Sequence, residues 1–465
     1  MKSGPVQKSE TKNLIALLGK RLGEKNVLFA LEDRLCYASD GSKQKYLPDI
    51  VVRPQTTQHV SDAVRLANEH EIPVYARGAG SGLTGGAVPV LGGMVLDFTQ
   101  MNRILEIIPE DLVATVEPGV VTQTLQTEVA KHKLFYPPDP ASAAFSTIGG
   151  NVAECAGGIT GLKYGVTRDY ILSLEVVLAD GSVITTGRKT LKSVTGYDLT
   201  RLLVGSEGTL GIFTKITVKL IPLPEKIETL LVFFPTPEDA VTSANGIISH
   251  NILPRALEFI DKSSIDCIKG YRQEMELPED ANAILIIDID GEEKSVQKGI
   301  SLVESFVSKN NAMKVIAAKN AKERDALWEV RRILSPALYK IAPFKINEDI
   351  CVPRSQILEI LRAISEINSR YPFLKVANFG HIGDGNIHVN VMYEKENDQS
   401  FAEKMIEEII HSTLRFGGTV SGEHGIGNVK SKFLPFEIAP QELQIMKNIK
   451  HMFDPKGILN PGKFF

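Results

Sequence analysis

Apolar residues near the start of the chain recur at helical spacing and then give way to strand-like runs. A first predicted helix, within a helical lead-in of residues 1–47, carries leucines on one face: Leu14, Leu17, Leu18 and Leu22. A short strand is predicted over 48–54, after which Thr56 or Thr57 can cap a second helix. The apolar stripe of that helix consists of Val60, Ala63, Val64 and Ala67. Strand, helix, strand and glycine loop within about 40 residues predict an α+β unit.

The pattern changes near residue 225, which marks a second region. Before it, strands alternate with turns from 92 to 130, and Asp180-Gly181 predicts a hairpin turn. After it, the predicted elements are strands at 228–235 and 283–290 and amphipathic helices at 292–309 and 355–369. These elements predict a separate α/β domain.

The most unusual stretch runs from Arg77 to Ala87 and contains five glycines in eleven residues. It follows a strand-like segment at 72–76. Residues without a Cβ let the chain turn sharply and bring successive N–H groups close to an anion, so a phosphate or pyrophosphate is the expected ligand. A solvent-exposed flexible loop is the alternative. The apolar runs on both sides and a second glycine cluster at 149–165 favour the anion site.

The same loop satisfies the dinucleotide-binding fingerprint, because Gly80, Gly82 and Gly85 have its spacing. That fingerprint requires a helix to begin at the last glycine. The residues that follow instead include Pro89, two glycines and β-branched side chains, which are typical of strands and turns. A conventional Rossmann site is therefore disfavoured.

A second unusual stretch, from Tyr136 to Gly165, combines prolines with glycines. Its prolines fix an extended backbone, and its glycines let the backbone approach a flat or charged ligand. These glycines are Gly149, Gly150, Gly157 and Gly158. A glycine-rich helix that packs tightly is the alternative interpretation. A third glycine cluster at 205–212 precedes another predicted strand.

The composition excludes several classes of protein. A net charge of −4 and scattered basic residues give no electrostatic basis for binding nucleic acid or an anionic membrane. The start of the chain lacks the apolar core of a signal peptide, and no segment approaches the roughly 20 apolar residues of a spanning helix, so a soluble cytoplasmic protein is expected. The four cysteines include no Cys-x-x-Cys pair, so neither an iron–sulfur cluster nor a zinc knuckle is encoded.

Three of the nine histidines lie near the C-terminus together with a glutamate. His381 and His388 flank a Gly-Asp-Gly turn that can fold them toward one point, and Glu423 and His424 lie in a second glycine-rich loop. Two neutral imidazoles and one carboxylate suit Zn, Fe or Mn and leave coordination positions for a substrate. The spacing matches neither the His-Glu-x-x-His helix nor a zinc finger, so hydrogen-bonded loop histidines explain these residues equally well.

Several motifs occur in order between residues 48 and 224, and their order is far more specific than any one of them. They are Arg77-Gly-Ala-Gly-Ser-Gly, Pro138-Asp-Pro, Thr147-Ile-Gly-Gly-Asn, Ala156-Gly-Gly, Lys163-Tyr-Gly and Gly205-Ser-Glu-Gly-Thr-Leu-Gly-Ile. This region resembles the FAD-binding domain of the vanillyl-alcohol oxidase and p-cresol methylhydroxylase superfamily. The resemblance implies two α+β lobes around an extended FAD. Some relatives tether the flavin through a histidine near the position of Ser81, so with serine there we expect dissociable FAD.

The resemblance also assigns the contacts to FAD. The first glycine loop would lie on the pyrophosphate, and the second cluster along the ribityl chain and the isoalloxazine. The implied FAD-binding residues are Arg77, Gly78, Ala79, Gly80, Ser81, Gly82, Pro138, Asp139, Thr147, Gly150, Asn151, Ala156, Gly157, Gly158, Gly165, Gly211, Ile212 and Asn460.

The C-terminal motifs, together with the segment 453–463, resemble those of FAD-linked D-2-hydroxy-acid dehydrogenases, which include glycolate oxidase FAD subunits, D-lactate dehydrogenases and D-2-hydroxyglutarate dehydrogenase. The resemblance implies the following roles: His381, His388 and Glu423 as metal ligands, His424 as the catalytic base, Arg331 as the group that binds the substrate carboxylate, and Asn390 in the same pocket. The implied domains are an FAD-binding domain at 48–225, a substrate or cap domain at 226–420 and a segment at 421–465 that returns to the flavin.

The implied reaction is oxidation of a small D-2-hydroxy acid, D-lactate or glycolate, with hydride transfer to flavin N5. A protein partner, either an iron–sulfur subunit or an electron-transfer flavoprotein, is favoured as the electron acceptor; a quinone, a soluble carrier and oxygen are the alternatives. Relatives that act on 2-hydroxyglutarate carry a hydroxyl residue and a lysine that Ser335 and Lys345 match only approximately, so small acids are favoured. Two other interpretations are a flavin electron-transfer subunit without its own substrate, against which His424 and Arg331 argue, and a metal-dependent hydrolase.

Overall fold

The computed structural model describes residues 8–271 and 277–465, and it divides into two compact units. Unit one contains the described residues up to Gly157, together with 166–223 and 423–465. Unit two contains 158–165 and the described residues of 224–422. The chain therefore leaves unit two for the last time between Gly422 and Glu423.

The strands and helices follow the chain in this order. The strands are β1 Val27–Leu28, β2 Ile50–Val52, β3 Val74–Arg77, β4 Met94–Asp97, β5 Ile104–Ile108, β6 Val113–Val116, β7 Leu134–Phe135, β8 Ile171–Val177, β9 Val183–Gly187, β10 Ile212–Lys219, β11 Ile221–Pro222, β12 Lys226–Phe234, β13 Ala256–Asp261, β14 Ala283–Gly291, β15 Lys314–Ala317, β16 Phe344–Cys351, β17 Lys375–Gly380 and β18 Asn386–Tyr393. The α-helices are α1 Lys8–Leu22, α2 Leu31–Leu35, α3 Thr57–Glu69, α4 Thr122–Ala130, α5 Ile148–Glu154, α6 Gly161–Tyr164, α7 Leu199–Leu203, α8 Pro237–Ser249, α9 Lys262–Tyr271, α10 Glu293–Lys309, α11 Ala321–Arg332, α12 Leu334–Ala337, α13 Ile357–Ser369, α14 Gln399–Arg415, α15 Leu434–Glu437 and α16 Pro440–Phe453.

The first lobe of unit one is a four-stranded sheet in the order β1-β2-β4-β3. β2, β4 and β3 run parallel, and β1 is antiparallel to β2. Helix α3 begins where Thr56 accepts a hydrogen bond from the amide of His59, as the capping pattern predicts. Its whole predicted apolar stripe is buried in the core of this lobe, together with Leu14, Leu18 and Leu22 of α1. Each fully buried leucine contributes about 2 kcal/mol of transfer free energy.

The glycine loop leaves β3, and no helix forms between it and β4. This confirms that the loop is not part of a Rossmann unit, because Pro89 and the paired Gly92 and Gly93 lie within the stretch that the helix would occupy. The C-terminal segment lies beside β3, since Val74 forms a parallel bridge with Leu459. The C-terminal segment therefore lies next to the strand that carries the glycine loop.

The second lobe of unit one is an antiparallel sheet in the order β5-β6-β10-β8-β9. The predicted hairpin connects β8 to β9, and Gly181 has a positive φ of 81° in its turn. Two sheets with helices packed on them confirm the predicted α+β class. A short pair formed by β7 and β11 accompanies the second lobe.

Unit two is built on one seven-stranded sheet in the order β15-β12-β14-β13-β17-β18-β16, and its strand pairs are antiparallel. The predicted strands at 228–235 and 283–290 are β12 and β14. The predicted helices at 292–309 and 355–369 are α10 and α13. Among the described residues, the helices are too short or too polar to serve as a membrane span.

Candidate active site

Unit one contains a cleft between its two lobes that is lined largely by glycine and apolar residues. Its lining consists of Ala76, Arg77, Gly78, Phe98, Pro118, Thr147, Gly149, Gly150, Ala153, Gly208, Gly211, Ile212 and Phe213. Six of these are among the predicted FAD-binding residues: Arg77, Gly78, Thr147, Gly150, Gly211 and Ile212. Motifs from three separate glycine clusters therefore meet at one surface.

Glycine is required at two of these positions because the backbone segments pack closely. A Cβ on Gly78 would lie 2.1 Å from Thr147 Oγ1, and a Cβ on Gly149 would lie 2.6 Å from Pro118 Cβ. Thr147 caps α5 by accepting a hydrogen bond from the amide of Gly150. The tightly packed glycine-rich helix, one of the two interpretations of this stretch, is therefore present, and the same helix lines the cleft.

The fit of the cleft to an anionic cofactor rests on Arg77. Its Nη1 atom is buried and has no hydrogen-bond partner among the described residues. Burial lowers the pKa of the guanidinium, although Asp40 and Asp97 act in the opposite direction. A buried N–H donor is costly to leave without a partner, so this atom suits a ligand with phosphate oxygens. The residues that line the cleft therefore fit FAD.

The other predicted FAD-binding residues lie outside the lining of this cleft. They are Ala79, Gly80, Ser81, Gly82, Pro138, Asp139, Asn151, Ala156, Gly157 and Asn460 in unit one, and Gly158 and Gly165 in unit two. Asn460 lies close to the first glycine loop, because its Nδ2 donates to the carbonyls of Gly86 and Glu207.

The loop that carries Glu423 and His424 is held within unit one by a buried carboxylate. Glu207 accepts hydrogen bonds from the amides of Ile426 and Gly427, both at 2.7 Å. The carbonyl of His424 accepts from Thr84 Oγ1 at 3.1 Å. The side chains of Glu423 and His424 are each 15% exposed, so both are largely shielded from solvent.

In unit two, the sheet register brings polar residues onto one face. Asp349 on β16 is paired with His388 on β18, and Asn347 is paired with Asn390. Phe379 on β17 is the partner of His388 on its other side. Because directly paired residues project to the same face of a sheet, these five side chains share a surface.

The two predicted metal-binding histidines of unit two are brought together. β17 and β18 form an antiparallel pair, so the turn folds His381 back toward His388, and their ring centroids are 5.3 Å apart. His388 Nδ1 lies 3.6 Å from Asp349 Oδ1, which also accepts a hydrogen bond from Asn386 Nδ2 at 2.6 Å. The sequence analysis did not identify Asp349 as a site residue. An acidic residue within the strand β16 was the signal that could have indicated it.

A second carboxylate that sequence reasoning missed is Glu258 on β13. Its Oε1 lies 2.5 Å from His381 Nδ1, and its Oε2 accepts a hydrogen bond from Arg331 Nε at 2.8 Å. Burial opposes ionisation of this carboxyl, but the charges of His381 and Arg331 outweigh it and lower the pKa of Glu258 to about 2. The signal in the sequence was a single acid among the apolar residues 256–260.

Comparison with known proteins gives a family match for each of two regions and a relative that matches nearly the whole chain. Residues 48–187 match the family model described as an FAD binding domain, and residues 223–464 match the model for the C-terminal domain of FAD linked oxidases. The chain is 43% identical over 435 residues to the glycolate oxidase subunit GlcD of Bacillus subtilis, an alignment that covers 93% of this chain and 92% of that protein. The chain belongs to the FAD-linked oxidase family. It is accordingly an FAD-linked oxidoreductase, as its motifs predict.

A second relative supports the family of this FAD-linked oxidase, and a structural neighbour supports its fold. The D-lactate dehydrogenase of Anaerostipes hadrus is 36% identical over 429 residues, which cover 90% of each chain. The crystal structure of p-cresol methylhydroxylase with substrate bound superposes with a TM-score of 0.81 at 20% identity and covers 99% of this chain and 97% of that one. The predicted p-cresol-methylhydroxylase-type fold is therefore confirmed.

Asn390 in this FAD-linked oxidase is completely buried, and its amide is used within the sheet. Its Nδ2 donates to the carbonyls of Ala377 and His388, and its Oδ1 accepts from Asn347 Nδ2 at 2.8 Å. The Oδ1 atom of Asn347 is buried and has no partner among the described residues. Asn347 is therefore better suited than Asn390 to receive a hydrogen bond from a ligand.

Proposed function

We propose that this FAD-linked oxidase converts a small 2-hydroxy acid, D-lactate or glycolate, to the 2-oxo acid. The names of its relatives, a glycolate oxidase subunit and a D-lactate dehydrogenase, support this substrate class. The observation that carries the proposal lies in unit two, where one buried carboxylate pairs with both the imidazole of His381 and the guanidinium of Arg331. A guanidinium next to a candidate metal ligand could bind the carboxylate of a 2-hydroxy acid while a metal ion binds the adjacent hydroxyl.

Arg331 would bind the substrate carboxylate. Its Nε donates to Glu258, so its terminal Nη groups are the donors that would bind a ligand. Its Cζ lies 4.6 Å from the centre of the Phe379 ring, and this contact restricts the guanidinium to one plane. A guanidinium held in this way is prepared for a charge-assisted contact with a carboxylate.

We also propose that His381, His388 and Glu423 hold a divalent metal ion, Zn, Fe or Mn, and that His424 removes the proton of the substrate hydroxyl. The chemistry of the donor set supports this, since neutral imidazoles and carboxylates are ligands for such ions. Asp349, beside His388, is a further oxygen donor. A bound ion would lower the pKa of the hydroxyl, and bound FAD would accept the hydride from C2.

A 2-hydroxy acid with a second carboxylate, such as D-2-hydroxyglutarate, is a second candidate substrate. Lys345 Nζ donates to Ser335 Oγ at 3.2 Å, so the two residues that the sequence matched only approximately are neighbours in unit two. Lys345 precedes Asp349 by four residues on β16, a spacing of about 13 Å along a strand. A longer acid would place its distal carboxylate near Lys345.

We propose that a protein partner, an iron–sulfur subunit or an electron-transfer flavoprotein, reoxidises the flavin. The sequence supports this because it has no Cys-x-x-Cys pair and hence no cluster of its own to carry electrons onward.

Anaerobic flavin reduction tests these assignments. D-lactate or glycolate should bleach the flavin, and removal of metal with a chelator or His388→Ala should slow bleaching about 100-fold or more while FAD stays bound. His411→Ala, at an exposed histidine of α14, is the matched control. Equal bleaching by the metal-free protein would refute the metal site. Faster bleaching by D-2-hydroxyglutarate, abolished in Lys345→Met, would favour the second candidate.

A further inference from the structure

Glu258 contacts two of the residues proposed to act on the substrate and has no role of its own in that proposal. Its side chain is 0% exposed, and each of its two oxygens contacts a different group. One oxygen faces His381 Nδ1 and the other faces Arg331 Nε. The carboxylate therefore bridges an imidazole and a guanidinium that come from separate elements.

The contact with His381 determines which ring nitrogen is available to a metal ion. When Nδ1 carries the proton and donates it to a carboxylate, the lone pair lies on Nε2. Carboxylates that hold metal-binding histidines in this way fix the tautomer and the orientation of the ring and increase its basicity. Glu258 has the position and the charge for that task.

The contact with Arg331 has an equivalent effect on the substrate side. A long arginine side chain loses conformational freedom when it binds a ligand, and this loss weakens binding. Glu258 holds Nε from one side, and Phe379 lies against the guanidinium plane. The orientation of the remaining donors is thus set before any ligand arrives.

We propose that Glu258 is a positioning residue that couples the metal-binding imidazole of His381 to the carboxylate-binding guanidinium of Arg331. This inference rests on the proposed function, because it assigns Glu258 through the roles of those two residues. A purely structural ion pair would make a different prediction. It would contribute to stability but would not change metal affinity or the Michaelis constant.

Glu258→Gln separates these possibilities because it keeps the size of the side chain. A glutamine places an NH2 donor where one of the two carboxylate oxygens was, so His381 Nδ1 or Arg331 Nε would face a donor instead of an acceptor. Asp288→Asn is the matched control, since Asp288 is a buried acid on the neighbouring strand β14 that contacts Thr229 and Trp328 instead. Glu258→Asp keeps the charge and serves as a second variant if the glutamine variant folds poorly.

The experiment measures zinc affinity by competition with a chelator on the FAD-loaded protein, and then the Michaelis constant for flavin reduction. We expect Glu258→Gln to lower zinc affinity about 10- to 100-fold and to raise the Michaelis constant, with FAD content unchanged. The effects of Glu258→Gln and His381→Ala on zinc affinity should not add, because both remove the same contact. Glu258→Asp should recover part of the zinc affinity, and Asp288→Asn should retain all of it.

Two negative outcomes are distinct. Zinc affinity and a Michaelis constant within about twofold of the wild type in both Glu258 variants would overturn this inference and leave the proposed function standing. A wild-type protein that binds no zinc and is reduced by no hydroxy acid would overturn the proposed function, and this inference with it.

Discussion

Two buried glutamates, one in each unit, have the same side chain and opposite shifts in acidity. Glu258 in unit two has a lowered pKa, and Glu207 in unit one has a raised pKa. Each carboxylate has two nitrogen atoms of the protein within hydrogen-bond distance. The difference lies in the partners. Glu258 is in direct contact with an imidazole and a guanidinium. Glu207 accepts from two neutral amides and lies near another acid, Glu154, and the cation near it, Lys463, donates to the carbonyl of Val88 instead.

The comparison shows that a buried carboxyl keeps a low pKa when a cation contacts it directly. Burial raises the pKa at both sites; two amide donors and the nearby Lys463 do not offset it at Glu207, whereas the direct contacts of His381 and Arg331 do so at Glu258. Unit two therefore keeps a negative charge that holds a histidine and an arginine. Unit one keeps a pair of weakened acids, Glu154 and Glu207, beside the loop that follows His424.

Removing the guanidinium of Arg331 is expected to have the largest effect, because it takes away the cation that distinguishes Glu258 from Glu207. Arg331→Met leaves Glu258 buried with one fewer cationic partner, which should lower the free energy of unfolding by about 3 kcal/mol. It should also raise the Michaelis constant for the hydroxy acid, since the guanidinium is the proposed carboxylate ligand. Urea unfolding and flavin-reduction kinetics measure the two effects. Arg332→Met, at the exposed neighbour in α11, is the control and should change neither. Equal stability of the two variants would contradict the assignment.

A third buried acid, Asp288, extends the comparison and is expected to show a smaller effect on stability. Asp288 is bonded by Thr229 and Trp328, both neutral donors, and burial raises its pKa to about 6. The native state thus binds more protons than the unfolded state between about pH 4 and pH 6, so stability should fall by about 2 kcal/mol as the pH rises through that window. Asp288→Asn should remove this dependence in urea unfolding. An unchanged pH profile in the variant would show that Asp288 is ionised in the folded state.

Glu154→Gln extends the comparison to the second buried acid of unit one. Burial and then the neighbouring Glu207 raise the pKa of Glu154, so its folded form favours the neutral carboxyl and stability declines as the pH rises above about 4.5. A neutral amide of the same size should therefore remove this decline, so the variant should gain stability relative to the wild type between pH 5 and pH 8. Thermal unfolding at the two pH values tests this. A loss of stability at pH 8 would mean that the ionised carboxylate is needed.

Local patterns in the sequence were sufficient for many of the elements and for the glycine clusters that meet at the cleft of unit one. The apolar stripe of α3, the hairpin at Gly181 and the absence of a helix after Gly85 all follow from residues within about one or two turns of each other. The fold of His381 toward His388 is local as well, because a tight turn joins β17 to β18. The order of the motifs, through their resemblance to known flavoproteins, pointed to the FAD-linked oxidase family.

Only the tertiary structure decided which carboxylates accompany these groups. Glu258 lies 123 residues from His381 and 73 from Arg331 along the chain, and Asp349 reaches His388 through the register of β16 with β18. A shift of that register by one residue would turn every one of those side chains to the opposite face. The charge states of these buried acids also depend on the tertiary structure, because the pKa of a buried acid is set by the neighbours that the fold brings to it. The sequence by itself thus determined the glycine loops, the elements and the family, while the long-range strand pairing determined the partners and the charge of each buried acid.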